Sequence, residues 1–328
     1  MSNGAANGTS RRAFLGRAAG AAVAVAGAGV GAGAFAQSAA AATGKRSYTS
    51  GKFSFDLDGY KVGNFKSMDG GDLANTVVFD KLSPDRIQRK HLGPVAPTDC
   101  TIGVGSGMAK GMYDWMKAAF DHGFDPSARR SASVSALGLY NTEVARRRFA
   151  SAVITQVTIP ALDVTSTEVA TVDVTFSSSK VSDATPSGSP VLGRPHKPWM
   201  CSNFKLEIDG LDTSRVASID SFTWTCALAD DGSLALDMGN IRVVAGASSA
   251  SSWQKWLANQ QSGAVDERNG TLTILGASQG GVLKLSLYNL GVFQVKPAHP
   301  IGGVSNGFFV AQMYCEGGGW DVIPLKKI

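Results

Sequence analysis

The sequence predicts a mainly β protein in which one structural unit occurs twice. Three observations carry this. Of 328 residues, 39 are glycine and only 17% are charged against 44% hydrophobic, the balance of a folded, turn-rich chain long enough for two domains. Apolar and polar residues alternate through Phe53, Phe55 and Leu57, the period-2 pattern of a strand with one buried face. Asp58-Gly59 then supplies the positive φ angles of a tight hairpin turn, and Phe204-Lys205-Leu206-Glu207-Ile208-Asp209-Gly210 repeats the design 151 positions on.

The first 42 residues read as an address label. Ser10-Arg11-Arg12-Ala13-Phe14-Leu15 is a twin-arginine signature, followed by a run of Ala, Gly and Val from Ala18 to Phe35. That run is mildly hydrophobic and rich in glycine, a poor membrane-spanning helix. Ala34-Phe35-Ala36 fits the small-x-small cleavage rule, which puts the mature start near Gln37. The partner implied is the twin-arginine translocase, and the destination is the periplasm or the outside of the cell. No later apolar run is long enough to span a membrane, so no stable anchor is expected. Removing Arg11, Arg12 and Arg17 lowers the formal charge from +5 to about +2. With no basic stripe interleaved with aromatics, nucleic-acid binding is not indicated.

The first unit is placed at residues 47–181. After the Asp58-Gly59 hairpin come a strand at Asn75 to Phe79, a polar loop from Ser83 to Thr98, and a strand at Asp99 to Val104. Met108, Met112, Trp115, Met116, Ala119 and Phe120 recur at helical spacing, a stripe that packs on a core. Ser131 to Leu139, Arg147 to Gln156 and Ala170 to Phe176 follow as strands. A Ser/Gly/Pro linker begins near Ser177, with residues 182–198 as its body. The second unit, 199–324, keeps the order: the Asp209-Gly210 hairpin, strands at Ser221 to Cys226 and Asn240 to Ala245, then a helix capped by Ser251 or Ser252. In that helix Trp256 answers Trp115. Thr271 to Leu275, Val282 to Tyr288 and Gly307 to Cys315 complete it.

In this order the residues resemble the tail-tube proteins of contractile phages, typified by the tube protein of phage T4. The Phe-x-Phe-x-Leu-Asp-Gly opening, the helix with Met112-Tyr113-Asp114-Trp115 and the strand pair Ser131 to Leu139 and Arg148 to Val157 carry it, with the alternating strand that closes the unit. The resemblance implies a β-sandwich or half-open barrel with one flanking helix per domain, here as two tandem tail-tube-like domains. Members of that family are usually single copies without an export signal, and this chain departs on both counts. The resemblance further implies self-assembly through hairpins shared between subunits. Such tubes are stacks of sixfold rings, so a chain with two copies is expected to close the ring as a trimer with pseudo-sixfold symmetry.

Catalytic patterns are weak by comparison. Gly276-Ala277-Ser278-Gln279-Gly280 matches a hydrolase elbow in letters, but Val282 to Leu287 continues as a strand where the elbow needs a helix. Gly103, Gly105, Gly107 and Gly111 lack the spacing of a phosphate loop. His91, His122, His196 and His299 are isolated, so neither a metal nor a cofactor is implied. Cys226 and Cys315 each share a strand face with apolar residues; free core thiols and a disulfide formed after export both fit. The expected function is therefore an exported, non-enzymatic structural protein that builds rings or a tube. A monomeric periplasmic or surface binding module is the alternative, and a hydrolase using Ser278 the third.

Overall fold

A computed structural model describes residues 52–65, 67–81, 86–120, 128–193, 199–228, 234–276, 279–298 and 307–322. The fold is mostly β, with a curled half-barrel sheet. In chain order the first half holds β1 (Phe53–Leu57), β2 (Tyr60–Phe65), β3 (Met68–Gly70), β4 (Leu73–Phe79), β5 (Lys90–Pro97) and β6 (Cys100–Val104). Helix α1 (Lys110–Phe120) follows, then β7 (Arg130–Leu137), β8 (Glu143–Ile159), β9 (Leu162–Asp163), β10 (Val169–Ala170), β11 (Val172–Ser177) and β12 (Lys180–Ala184). The second half holds β13 (Trp199–Met200), β14 (Phe204–Ile208), β15 (Val216–Ile219), β16 (Phe222–Leu228), β17 (Leu234–Met238) and β18 (Ile241–Gly246). Helix α2 (Ala250–Gln261), β19 (Arg268–Leu275), β20 (Gly281–Pro297) and β21 (Phe308–Val322) complete it.

One sheet runs β2-β1-β7-β8-β11-β6-β3 and the other β14-β19-β20-β21-β18-β15-β9. Apart from β2 and β9 the strand order is the same, and so is the register. Phe55 faces Val134 and Val134 faces Arg147 in one sheet; Leu206 faces Leu272 and Leu272 faces Leu285 in the other. Even the irregularities match. Ser151 in β8 and Asn289 in β20, 138 positions apart, both hold the left-handed backbone, with φ of 51° and 52°. A β-branched residue would be strained there, whereas Ser and Asn tolerate it.

The alternation that makes these strands also builds the core. Phe55, Trp115 and Phe176 are fully buried and lie with ring centroids 5.7–6.1 Å apart. In the other sheet Trp253 sits 6.1 Å from Trp256 and 5.8 Å from Phe309. Each helix is pinned by its tryptophan: Trp115 Nε1 donates to the Ala128 carbonyl at 2.7 Å, and Trp256 Nε1 to the Asp266 carbonyl at 2.7 Å. An indole donor is costly to bury unpaired, so this bond fixes which way the helix faces.

Several expectations are corrected. Residues 90–97 are strand β5, not loop, because this strand is exposed along most of its length and its sequence shows no buried face. The linker contains β12, paired to β8 from Lys180 to Ala184, and β13 pairs with β10. Helix α2 begins at Ala250 with Ser249 at its N-cap, not Ser251 or Ser252; the Ser249 hydroxyl donates to the Gly246 carbonyl instead of capping. Asp209-Gly210 forms a turn but not a two-residue hairpin, since no described strand pairs with the outer edge of β14. There the Leu211 amide closes on the Ile208 carbonyl, and the Asp212 carboxylate then accepts from the Ser214 amide and hydroxyl, which bends the chain away.

Candidate assembly interface

β8 is 17 residues long, more than β7 can cover. Its first part pairs with β7 up to Ala152, and on that same edge residues 156–159 pair with β16. The register sets Phe222 opposite Ile159, Thr223 opposite Thr158, Trp224 opposite Val157 and Thr225 opposite Gln156. A hairpin from the second half, β16–β17, thus extends the sheet of the first. The Thr158 and Thr223 hydroxyls lie 3.0 Å apart, and the Ser221 hydroxyl donates to the Ile159 carbonyl at 2.8 Å. Beneath them Trp224 is fully buried and meets Trp320 edge to face at 4.8 Å. Truncating an indole so placed costs about 3–5 kcal/mol.

The junction has a second layer. Met116 and Tyr113 of α1, with Val104 and Val172, close against Trp199, Val282 and Leu283, leaving a void of only about 10 Å³. The Tyr113 hydroxyl donates to the Gly105 carbonyl at 2.7 Å, and burial pushes its pKa up to about 12. A third contact is short: β9 pairs with β15, Leu162 opposite Ile219.

The other hairpin, β4–β5, stands apart as a two-stranded sheet. Its apolar side chains face solvent: Leu73 is 57% exposed, Phe79 60% and Leu92 73%. Its base is clamped by Arg147, a buried cation that donates to the Asp72 carboxylate, to the Gly71 carbonyl at 3.1 Å, and to Asp183 of β12 at 2.9 Å. Burial alone would lower the Arg147 pKa; the bonds to Asp183 and Asp72 outweigh it and raise it. Nearby, the side chain of Glu143 is fully buried and accepts from the Ser135 hydroxyl at 2.7 Å, the Ser187 amide at 2.8 Å and the Arg146 guanidinium. Burial would raise this carboxyl, but the bonds from Ser187, Ser135 and Arg146 hold it down at about 2.

Sequence reasoning missed Glu143 and Arg147. The signal was available: period-2 alternation puts Glu143, Ala145, Arg147 and Phe149 on one face, and a charge sharing a face with Phe must find partners inside.

Of the residues singled out in the sequence, Arg11, Arg12, Ala34, Ala36 and Ser278 lie outside the described residues. Asp58-Gly59 joins β1 to β2, with φ of 50° and 84°, and the Asp58 carboxylate accepts from the Ser131 amide at 3.0 Å. Trp115 and Trp256 are each fully buried in the core beneath their own helix. Cys226 and Cys315 are free thiols here, as are Cys100 and Cys201. The Cys315 thiol lies 3.1 Å from the Gly317 carbonyl, and burial pushes its pKa up to about 11. The glycines of the hydrolase-like motif stand between β19 and β20, antiparallel strands in which Leu275 faces Gly281. Among the described residues there is no cluster of three or more metal-ligating side chains, and no helix long and apolar enough to cross a membrane.

The chain is similar to two solved structures over a little under half its length. The cap of the anti-feeding prophage, its tube-terminating cap, is 24% identical with a TM-score of 0.33, covering 44% of this chain and 94% of that one. A chain of the PVC sheath-tube complex, an extracellular contractile injection system in the extended state, is 19% identical with a TM-score of 0.32, covering 45% and 97%. No curated protein sequence matches. The family model of the T4-like virus tail tube protein gp19 matches residues 49–182, the stretch that holds β1 to β11 and most of β12.

Proposed function

We propose that this protein is an exported structural protein of the tail-tube type, built from two copies of one domain and assembling head to tail into rings or a tube. One observation carries the reading: a hairpin of the second half completes the sheet of the first at the β8 edge. Strand addition of this kind is a general way for one folded unit to join the next, because main-chain hydrogen bonds supply the affinity. The tail-tube match over residues 49–182 supports the same reading. Two copies per chain halve the number of chains per ring, and we expect a trimer with pseudo-sixfold shape. A head-to-tail contact closes only if its rotation divides a full turn.

Negative-stain imaging of the purified protein tests assembly. Rings or tubes are expected; a field of separate particles at monomer size contradicts the reading and favours a monomeric binding module. Export rests on the twin-arginine segment and is tested apart from assembly. Replacing Arg11 and Arg12 together by Lys is expected to leave the precursor in the cytoplasm, as fractionation and blotting would show. Unchanged export of the double-Lys variant would refute it.

A further inference from the structure

The junction inside the chain has a counterpart that no described strand fills. β4 and β5 correspond to β16 and β17: Leu73 faces Pro97 as Trp224 faces Met238. The Thr98 amide donates to the Asp72 carbonyl at 2.8 Å as the Gly239 amide does to the Thr223 carbonyl at 2.9 Å. Asp72 therefore stands where Thr223 stands. On the acceptor side, residues 156–159 of β8 correspond to 294–297 of β20, because Val157 faces Val174 as Val295 faces Ala311. β16 occupies the β8 edge. Among the described residues, β19 pairs with β20 only as far as Leu290, and no strand follows it on that edge. Among the same residues the outer edge of β4 is equally unpaired.

From this match we infer that β4 of one chain adds to the β20 edge of a second copy, with Asp72 opposite Lys296, Leu73 opposite Val295 and Ala74 opposite Gln294. The inference rests on the tube reading and supplies its contact between chains. Three further observations agree with it. The threonine pair of the internal junction becomes Asp72 against Lys296, opposite charges on facing positions, and the Asp72 carboxylate has a second oxygen to offer beside Arg147. Leu257 of α2 stands where Met116 stands in α1, one residue beyond the pinned tryptophan. Met116 is buried by Trp199, Val282 and Leu283, whereas Leu257 is only half-buried and opens on a groove of about 400 Å³ beside Val265 and Phe293. Finally, the match stops at Gly71 without loss: Pro297 has no N–H to give, and the Gly71 carbonyl already accepts from Arg147.

Paired cysteines in the full-length chain test the register. Facing side chains of an antiparallel pair are close enough for a disulfide. Thr158→Cys with Thr223→Cys is the internal control and is expected to close within one chain. Asp72→Cys with Lys296→Cys, and separately Ala74→Cys with Gln294→Cys, are expected to link chains, giving a ladder on non-reducing gels with the bridges mapped by peptide mass. The staggered pair Asp72→Cys with Gln294→Cys is expected to give roughly tenfold less, since its side chains are a diagonal apart. If the protein assembles but the in-register pairs fail to link, or the staggered pair links equally, the inference is overturned while the tube reading stands. If the unmodified protein stays monomeric, both fall. If the cysteine variants alone fail to assemble, hydrogen exchange on the unmodified assembly decides. The amides of Leu73 and Val295 point away from β5 and β21, so slow exchange at these two supports the register, and fast exchange overturns it.

Discussion

Glu143 shows how much one side chain carries here. Its carboxylate ties β7 to β8 through Ser135 and Arg146 and holds the segment around Ser187 against both. The folded pKa of about 2 lies below the ordinary 4.5, so the stabilisation is fully present above about pH 4.5 and is lost as the pH falls toward 2. A shift of that size corresponds to about 3 kcal/mol. Glu143→Gln is therefore expected to unfold at lower urea than the parent at pH 7, with the gap closing as the pH drops below about 4. Equal midpoints at pH 7 would show that the carboxylate contributes nothing. Gly318 makes the complementary point about space. A Cβ there would lie 2.6 Å from the Trp224 ring and 2.9 Å from the Ser286 carbonyl. Gly318→Ala should destabilise by about 1–3 kcal/mol, read as a lower thermal midpoint, because the ring is wedged against Trp320 and cannot retreat.

At the scale of elements, legibility mostly followed burial; β4, exposed along its whole length, was readable instead from its run of Thr, Val, Val and Phe. β1, β14, β11 and the two tryptophan helices were readable because an apolar face recurs in each at the period of its own structure. β5, β12 and β17 were not: β5 is largely exposed, β12 lies within a Ser/Pro-rich stretch, and the β17 sequence Leu-Ala-Leu-Asp-Met is too short to stand out. The Asp-Gly dipeptide overstated the likeness of the halves, since it closes a hairpin only where a pairing strand follows. The clamps at Glu143 and Arg147 were hidden in a strand read for its apolar alternation alone. Exposure also sets an expectation for the β4–β5 hairpin. Val77 faces Leu92 there, at 52% and 73% exposure, so burial of this pair contributes little to the single chain. Val77→Ser with Leu92→Ser should leave the unfolding free energy within about 0.5 kcal/mol of the parent. The same variant should raise the concentration at which the protein assembles, by sedimentation. Unchanged assembly would mean that the hairpin is not covered.

At the scale of the whole molecule, the two sheets share strand order, register and the left-handed residue in the long strand, yet they differ at their edges. The first sheet has its β8 edge filled by β16, while the β20 edge is unpaired beyond Leu290 among the described residues. A chain with one such junction made, and a spare hairpin in one half and a spare edge in the other, is suited to joining copies of itself, since unpaired edges attract further strands. Mass spectrometry under native conditions, counting the chains in the purified protein at micromolar concentration, tests this most directly. A closed species of three chains, or a multiple of three, is the expected result. A stable monomer, or a ring whose chain number is not divisible by three, would contradict it.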